Sequence, residues 1–301
     1  MEWYGVQPAI TTPFTADLRV DHAAIAAHCR WLADRGCTGV VVLGSLGEGA
    51  TLDRTEKEEA ITSCVQALVG RIPVVAAVAA LRTSEAIMLA RDAAEAGASG
   101  LMVLPPYVYR GDWRETREHF GAVFRATSLP CMLYNNPIAY GTDVLPGQLL
   151  ELATEHPTLM AVKESSTDVR RVTAIRALLG ERLAVSVGVD DEILEGLDAG
   201  ASSWVAGLAN AFPAESVELF RRATSGPRST AFELYRWFLP LLRMDTSPKF
   251  VQLIKLMQAE TGHGSARVRP PRLELEGEER AQALETLQVA LRTRPAGLRP
   301  S

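Results

Sequence analysis

Only four of the 31 basic residues in this sequence are lysines: Lys57, Lys163, Lys249 and Lys255. Lys163 closes an apolar run, Leu159-Met160-Ala161-Val162-Lys163, so hydrocarbon surrounds its stem and low dielectric disfavours its charge. An amine that must attack a carbonyl near neutral pH needs its pKa brought from about 10.4 to roughly 7 to 8, and burial with suitable neighbours supplies that shift. The alternative is a lysine paired with a carboxylate at a strand end. A second run ends Met132-Leu133-Tyr134-Asn135-Asn136-Pro137, placing a phenol that could hand protons to a carbinolamine, or that serves only as an amphipathic core residue. A third run ends Leu43-Gly44-Ser45-Leu46-Gly47-Glu48-Gly49. Its glycines let backbone N–H groups face a small anion beside the Ser45 hydroxyl, although a strand-to-helix loop also uses glycine merely to turn. With neither G-x-x-x-x-G-K-[ST] nor G-x-G-x-x-G present, a carboxylate suits this turn better than a phosphate. Glu48 is expected to orient the turn by bonding to its backbone, and Glu164 to point away from Lys163 into a helix layer.

These groups must be positioned by eight short apolar runs: Val6 to Thr11, Gly39 to Leu43, Ile72 to Val78, Leu101 to Leu104, Pro130 to Tyr134, Leu159 to Lys163, Leu183 to Val187 and Ser203 to Ala206. The runs are continuous rather than alternating, which predicts strands buried on both faces, as in parallel sheets. The segments between them carry helix signals. Asp21, Asp53 and Asp112 stand as N-caps, the last two with Glu56 and Glu115 at the capping-box offset, while Gly36, Gly97 and Gly180 mark stops. Eight alternations predict an α/β chain, either a (β/α)8 TIM barrel or a doubly wound sheet, and the length favours the barrel, which takes about 250 residues. The barrel is expected over residues 1–224. A C-terminal helical region over 225–301 is expected to hold three helices, near Thr230 to Met244, Pro248 to Thr261 and Glu278 to Leu291, with a frayed tail from Arg292. The apolar face of Trp237, Phe238, Leu241 and Leu242 suits packing on the barrel better than an oligomer interface. In a barrel the chemistry sits at the C-terminal ends of the strands, where Lys163, Tyr134 and the Gly44 turn fall.

A formal net charge of -5 gives no field to hold nucleic acid or an anionic membrane. The longest apolar run, Ile72 to Leu81, is half of the roughly 20 residues a membrane helix needs, and no signal pattern opens the chain, so a cytoplasmic protein is expected. Cys29, Cys37, Cys64 and Cys131 lack C-x-x-C spacing and read as buried free thiols. His22, His28, His119, His156 and His263 fall away from strand ends, and no metal motif occurs, so neither metal nor cofactor is expected.

Gly44-Ser45-Leu46-Gly47-Glu48, Tyr134-Asn135-Asn136-Pro137 and Val162-Lys163-Glu164, in that order and with the opening Pro8-Ala9-Ile10-Thr11-Thr12-Pro13-Phe14, resemble the dihydrodipicolinate synthase and N-acetylneuraminate lyase superfamily. The resemblance implies a (β/α)8 barrel, a homo-oligomer (tetramer or dimer), and metal-free chemistry through a lysine Schiff base to a 2-oxo acid. It makes Lys163 the Schiff-base residue, Tyr134 the proton relay, and Ser45 with Leu46 and Gly44 the carboxylate cradle; Gly188, Val205 and Tyr140 join the substrate contacts. The synthases carry an arginine after the tyrosine motif for the second substrate's carboxylate, whereas Ile138-Ala139-Tyr140-Gly141 offers none. They also carry a second tyrosine after Tyr107, where this chain has Val108 with Tyr109 as the nearest substitute, and a hydroxyl at the Leu46 position. The motifs around Tyr107, Tyr140, Lys163 and Trp204 look like the 1-pyrroline-4-hydroxy-2-carboxylate deaminase branch. In the chemistry that branch implies, Lys163 opens the ring at C=N, loss of a C3 proton expels the C4 hydroxyl, and hydrolysis gives ammonia and 2,5-dioxopentanoate. A substrate with a single carboxylate is therefore expected. The alternatives are a 2-keto-3-deoxy sugar acid aldolase or dehydratase, dihydrodipicolinate synthase itself, or a barrel that binds a keto acid without turnover.

Overall fold

Runs of valine too apolar to face water leave the chain little choice but to bury its strands on both faces. In the computed structural model, which describes residues 1–295, they do so as β1 (Gly5–Pro8), β2 (Val40–Val42), β3 (Val74–Val78), β4 (Gly100–Val103), β5 (Cys131–Asn135), β6 (Leu159–Glu164), β7 (Ala184–Val187) and β8 (Ser203–Ala206). All neighbours are parallel, in the order β1-β8-β7-β6-β5-β4-β3-β2. The ring closes between β1 and β2, where Ala9 pairs with Val41, the Ile10 N–H donates to Val41 O at 2.9 Å and the Thr38 N–H to Val6 O at 2.9 Å. This is the expected (β/α)8 barrel.

Strand limits differ from the expected runs for local reasons. Leu43 has φ 67°, a left-handed conformation that takes it out of β2, and Pro73, lacking an N–H, leaves β3 to begin at Val74.

The helix signals act where they stand. Asp21 accepts the Ala24 N–H at 2.9 Å, and Asp53 with Glu56 and Asp112 with Glu115 form complete capping boxes. Gly36, Gly97 and Gly180 all take positive φ just after helices. The single turn Pro137–Tyr140 has no counterpart among the expected elements, because four residues are too few to show a period. It starts on the Asn136 side chain, which accepts the Ala139 N–H at 3.0 Å.

After the helix Pro213–Ser225 come three more, Arg228–Leu242, Phe250–Glu260 and Gly277–Arg292. Phe238, Leu241 and Leu242 are fully buried, and the Trp237 indole N–H donates to Ala290 O at 3.0 Å, so this apolar face packs within the chain. The expected frayed tail is corrected in part. The last helix runs through Arg292, and Arg294 pairs with the buried Glu215 carboxylate; residues 296–301 lie outside the described part. All four cysteines are buried free thiols, with Cys37 and Cys131 pushed up to about 12 by burial. Among the described residues no helix is long and apolar enough to cross a membrane.

Candidate active site

Lys163 and Tyr134 stand opposite each other in the β5–β6 register, at the C-terminal ends of their strands. The lysine Nζ lies 4.2 Å from the centroid of the tyrosine ring, and each residue is 6% exposed. Strand alternation sends their neighbours outward: Asn135 donates to Glu164 at 3.0 Å, Glu164 accepts the Ser166 N–H at 2.7 Å, and Asn135 accepts the Val144 N–H at 2.9 Å. That outer layer fixes the two strand ends, so the inward pair is aimed by backbone rather than by its own flexible stems. Glu164 thus points away from Lys163 as expected.

Burial pushes the Lys163 ammonium below the ordinary lysine range, opposed by Asp245, Tyr140 and Asp190 in that order. The consequence is a larger fraction of neutral, nucleophilic amine at a given pH. Gly188 lies against this side chain; a methyl group added there would come within 2.7 Å of Lys163 Cε. Val205 is 1% exposed on β8, paired with Gln7.

Tyr134 and Tyr140 meet edge to face with ring centroids 5.6 Å apart, and the Tyr140 hydroxyl is hydrogen-bonded to the Ser45 hydroxyl. Asn136 donates to the Tyr134 hydroxyl at 3.2 Å. Burial raises both phenols above the ordinary tyrosine value, which keeps them protonated. Three hydroxyl groups thereby line one wall within a single chain. Tyr109, the substitute suggested by the sequence, is not among them: it is exposed and donates to Glu115 at 2.9 Å. The loop after β4 leaves Tyr107, Val108 and Tyr109 exposed, and the ring packed on Tyr134 is that of Tyr140, from the turn after β5.

The Gly44 turn is built tightly. Leu43 and Glu48 adopt left-handed φ, and a side chain on Gly47 would meet Ile10 O at 2.9 Å, so glycine is required there by backbone contact. Gly44 has only Met102 Cε near its open side, at 3.6 Å. The Thr12 hydroxyl donates to Gly47 O at 2.6 Å. No backbone or side-chain acceptor of the described residues takes the N–H groups of Ser45, Leu46 and Gly47. The expected role of Glu48 needs correcting. Its carboxylate leaves the turn, accepts from Lys255 Nζ at 2.5 Å and from the Arg269 N–H at 3.0 Å, and is itself 1% exposed. Lys255 also donates to Arg267 O at 2.6 Å and sits 4.3 Å above the Phe14 ring. Glu48 therefore ties the turn to the C-terminal helices rather than to its own backbone.

Three residues escape a reading of the sequence. Asp190 is buried and accepts from the Trp204 indole at 2.9 Å, from Gly207 N at 3.0 Å and from Leu208 N at 2.7 Å, fixing the exit of β8; burial raises it to about 6. Asp245, on the turn Arg243–Thr246 of the C-terminal extension, sets its carboxylate over Gly207. Arg110, from the segment after β4, lays its guanidinium on Gly141, where a side chain would collide with it. Only Asp190 had a local signal, as a carboxylate two residues after Gly188 at a strand end.

The profile of the dihydrodipicolinate synthetase family matches residues 2–290. The 4-hydroxy-tetrahydrodipicolinate synthase of Nitratidesulfovibrio vulgaris (strain DP4) is 33% identical over 251 residues, covering 82% of this chain and 86% of its own. The crystal structure of dihydrodipicolinate synthase from Aquifex aeolicus superimposes with a TM-score of 0.91 at 29% identity, over 95% of this chain and 97% of that one. YagE of Escherichia coli K12, a prophage protein of the dihydrodipicolinic acid synthase family in complex with pyruvate, gives a TM-score of 0.90 at 27% identity, over 96% and 98%.

Proposed function

The chain belongs to the dihydrodipicolinate synthetase family, and from that premise we propose that it is a Schiff-base lyase that joins Lys163 to a small 2-oxo acid, pyruvate foremost, for aldol-type chemistry. The observation that carries the reading is the buried Lys163 amine held against Tyr134 at the barrel mouth. The amine adds to the C2 carbonyl, water leaves, and the protonated imine accepts the electron pair released when a C3 proton departs. The enamine then attacks an aldehyde, or the reverse sequence cleaves one off. Ser45 and the unclaimed N–H groups around Leu46 hold the acid's carboxylate, and Gly44 and Gly188 leave room for it. Tyr134 stands beside Lys163 as the acid for the carbinolamine oxygen, with Tyr140 packed edge to face on its ring and hydrogen-bonded to Ser45. Val205 closes the β8 side of the pocket.

Two facts favour synthase-type condensation over the deamination that the motifs after Tyr134 suggest. The named relatives are 4-hydroxy-tetrahydrodipicolinate synthases, and Arg110 supplies at Gly141 the cation that Ile138 and Ala139 lack. A second carboxylate then has a partner and is not left unpaired. The same cytoplasmic, homo-oligomeric life follows by analogy with the family.

Borohydride trapping with pyruvate tests the imine, and should add one reduced pyruvyl group at Lys163 that is lost in Lys163→Ala. Labelling at Lys249 or Lys255 would overturn it. Beside it, condensation of pyruvate with aspartate semialdehyde is expected. Ammonia release from 1-pyrroline-4-hydroxy-2-carboxylate without condensation would return the assignment to the deaminase.

A further inference from the structure

The turn Arg243–Thr246 lies outside the eight strand-to-helix loops, yet it brings a carboxylate to the barrel mouth. Asp245 occupies the space where a side chain on Gly207 would be, directly after β8. The two carboxylates beside Gly207 are used differently. Asp190 is saturated by the Trp204, Gly207 and Leu208 donors. Asp245 is partly buried, and among the described residues no N–H, hydroxyl or basic group hydrogen-bonds to it; the charged groups near it include Asp190, Lys163 and Asp191, and Tyr134 also feels its charge. A carboxylate at the mouth that no protein group hydrogen-bonds keeps its lone pairs free for a donor on a bound molecule. If Asp245 were only a counter-ion to Lys163, the two would be expected within ion-pair distance, and they form no such pair.

The ring order shows what its donor would be. In an eight-membered barrel β2 stands across from β6. A 2-oxo acid with its C2 on Lys163 and its carboxylate at the Gly44 turn, the placement proposed above, spans that diameter. Its remaining chain must go to one side. Toward β4 and β5 stand the rings of Tyr134, Tyr140 and Tyr107; toward β7 and β8 stands Asp245.

We propose that Asp245 is a specificity-determining residue, which receives the hydrogen-bond-donating end, a hydroxyl or an ammonium, of a 2-oxo acid bound at Lys163. The inference rests on the imine reading but not on which aldehyde is used. A carboxylate in that position also disfavours substrates whose far end is itself anionic on the β8 side.

The test uses the full chain and two probes that cannot undergo aldol cleavage, 2-oxopentanoate and 5-hydroxy-2-oxopentanoate. Each is trapped with borohydride over a range of concentrations, the adduct is read by intact mass, and the ratio of the two half-saturating concentrations is taken. The ratio is blind to any change in Lys163 itself, since both probes form the same imine. Wild type should favour the hydroxylated probe by about ten- to a hundredfold, the worth of one hydrogen bond to a charged group. Asp245→Ala should bring the ratio close to one, and Asp245→Asn, whose carbonyl oxygen still accepts, should restore part of it. Labelling of each variant by pyruvate shows that its site is assembled. Equal trapping of both probes by wild type, or an unchanged ratio in Asp245→Ala, overturns the assignment of Asp245 while leaving the imine intact. No pyruvate adduct on wild type overturns the imine reading itself.

Discussion

Replacing Lys255 by methionine keeps most of its volume but strips the Glu48 carboxylate of its principal partner. Both side chains are essentially removed from water, at 1% and 0% exposure, and the Nζ to Oε1 distance is 2.5 Å. Breaking one side of a buried pair costs about 3 to 5 kcal/mol, mostly because the remaining charge is stranded. Here Glu48 keeps the Arg269 N–H at 3.0 Å and Arg272 at 3.9 Å, so the lower end applies. For a chain of this size about 3 kcal/mol corresponds to a fall in Tm of roughly 5 °C. Glu48 sits in the turn that carries Ser45 and Leu46, so pyruvate should also half-saturate trapping at a higher concentration. Adding Glu48→Gln to Lys255→Met removes the stranded charge, and the double variant should regain at least half of the lost stability. Denaturant unfolding and pyruvate trapping on the single and double variants decide the matter. If Lys255→Met loses less than about 1 kcal/mol, or the double variant is worse than the single, the pair is not what anchors the turn.

Three further outcomes follow from the geometry of the mouth. Tyr140→Phe removes the bond to Ser45 while preserving the ring contact with Tyr134, so turnover should fall by about a hundredfold or more with pyruvate still forming the adduct; unchanged kcat would make Tyr140 a packing residue. Gly188→Ala drives a methyl into the buried Ser165 hydroxyl and the Lys163 stem and should slow trapping sharply while lowering stability by about 1 to 3 kcal/mol, a prediction that an unaltered trapping rate refutes. The folded pKa of Lys163 lies below its ordinary value, so the neutral amine gains population on raising pH through that lowered pKa. The trapping rate should climb with pH and level off before the range of a free lysine, and a midpoint near that of free lysine would contradict the burial argument.

The barrel was largely legible because its signals are local. Buried valine runs announce parallel strands, and Asp53 with Glu56 announces a helix start within four residues. Lys163 and Tyr134 stood out for the same reason, as polar groups ending apolar runs. What stayed hidden comes from distance. Tyr140 meets Ser45 across 95 residues and Lys255 meets Glu48 across 207, and no spacing rule connects such pairs. Asp245 gave no signal at all, because a carboxylate between two helices reads as solvated until the fold carries it over Gly207. The error over Glu48 has the same source: a local partner was assumed where a remote lysine was present.

Closure of the barrel between its first and last strands has a consequence for synthesis. β1 takes its hydrogen bonds from β8, and Asn210 reaches back 201 residues to Ala9 O. While the ribosome is still making the intervening helices, the amino-terminal strand waits with one edge open, an exposed template for pairing with another nascent chain. Ribosome stalling or truncation ahead of Ser203 should therefore yield aggregates rather than a smaller working enzyme.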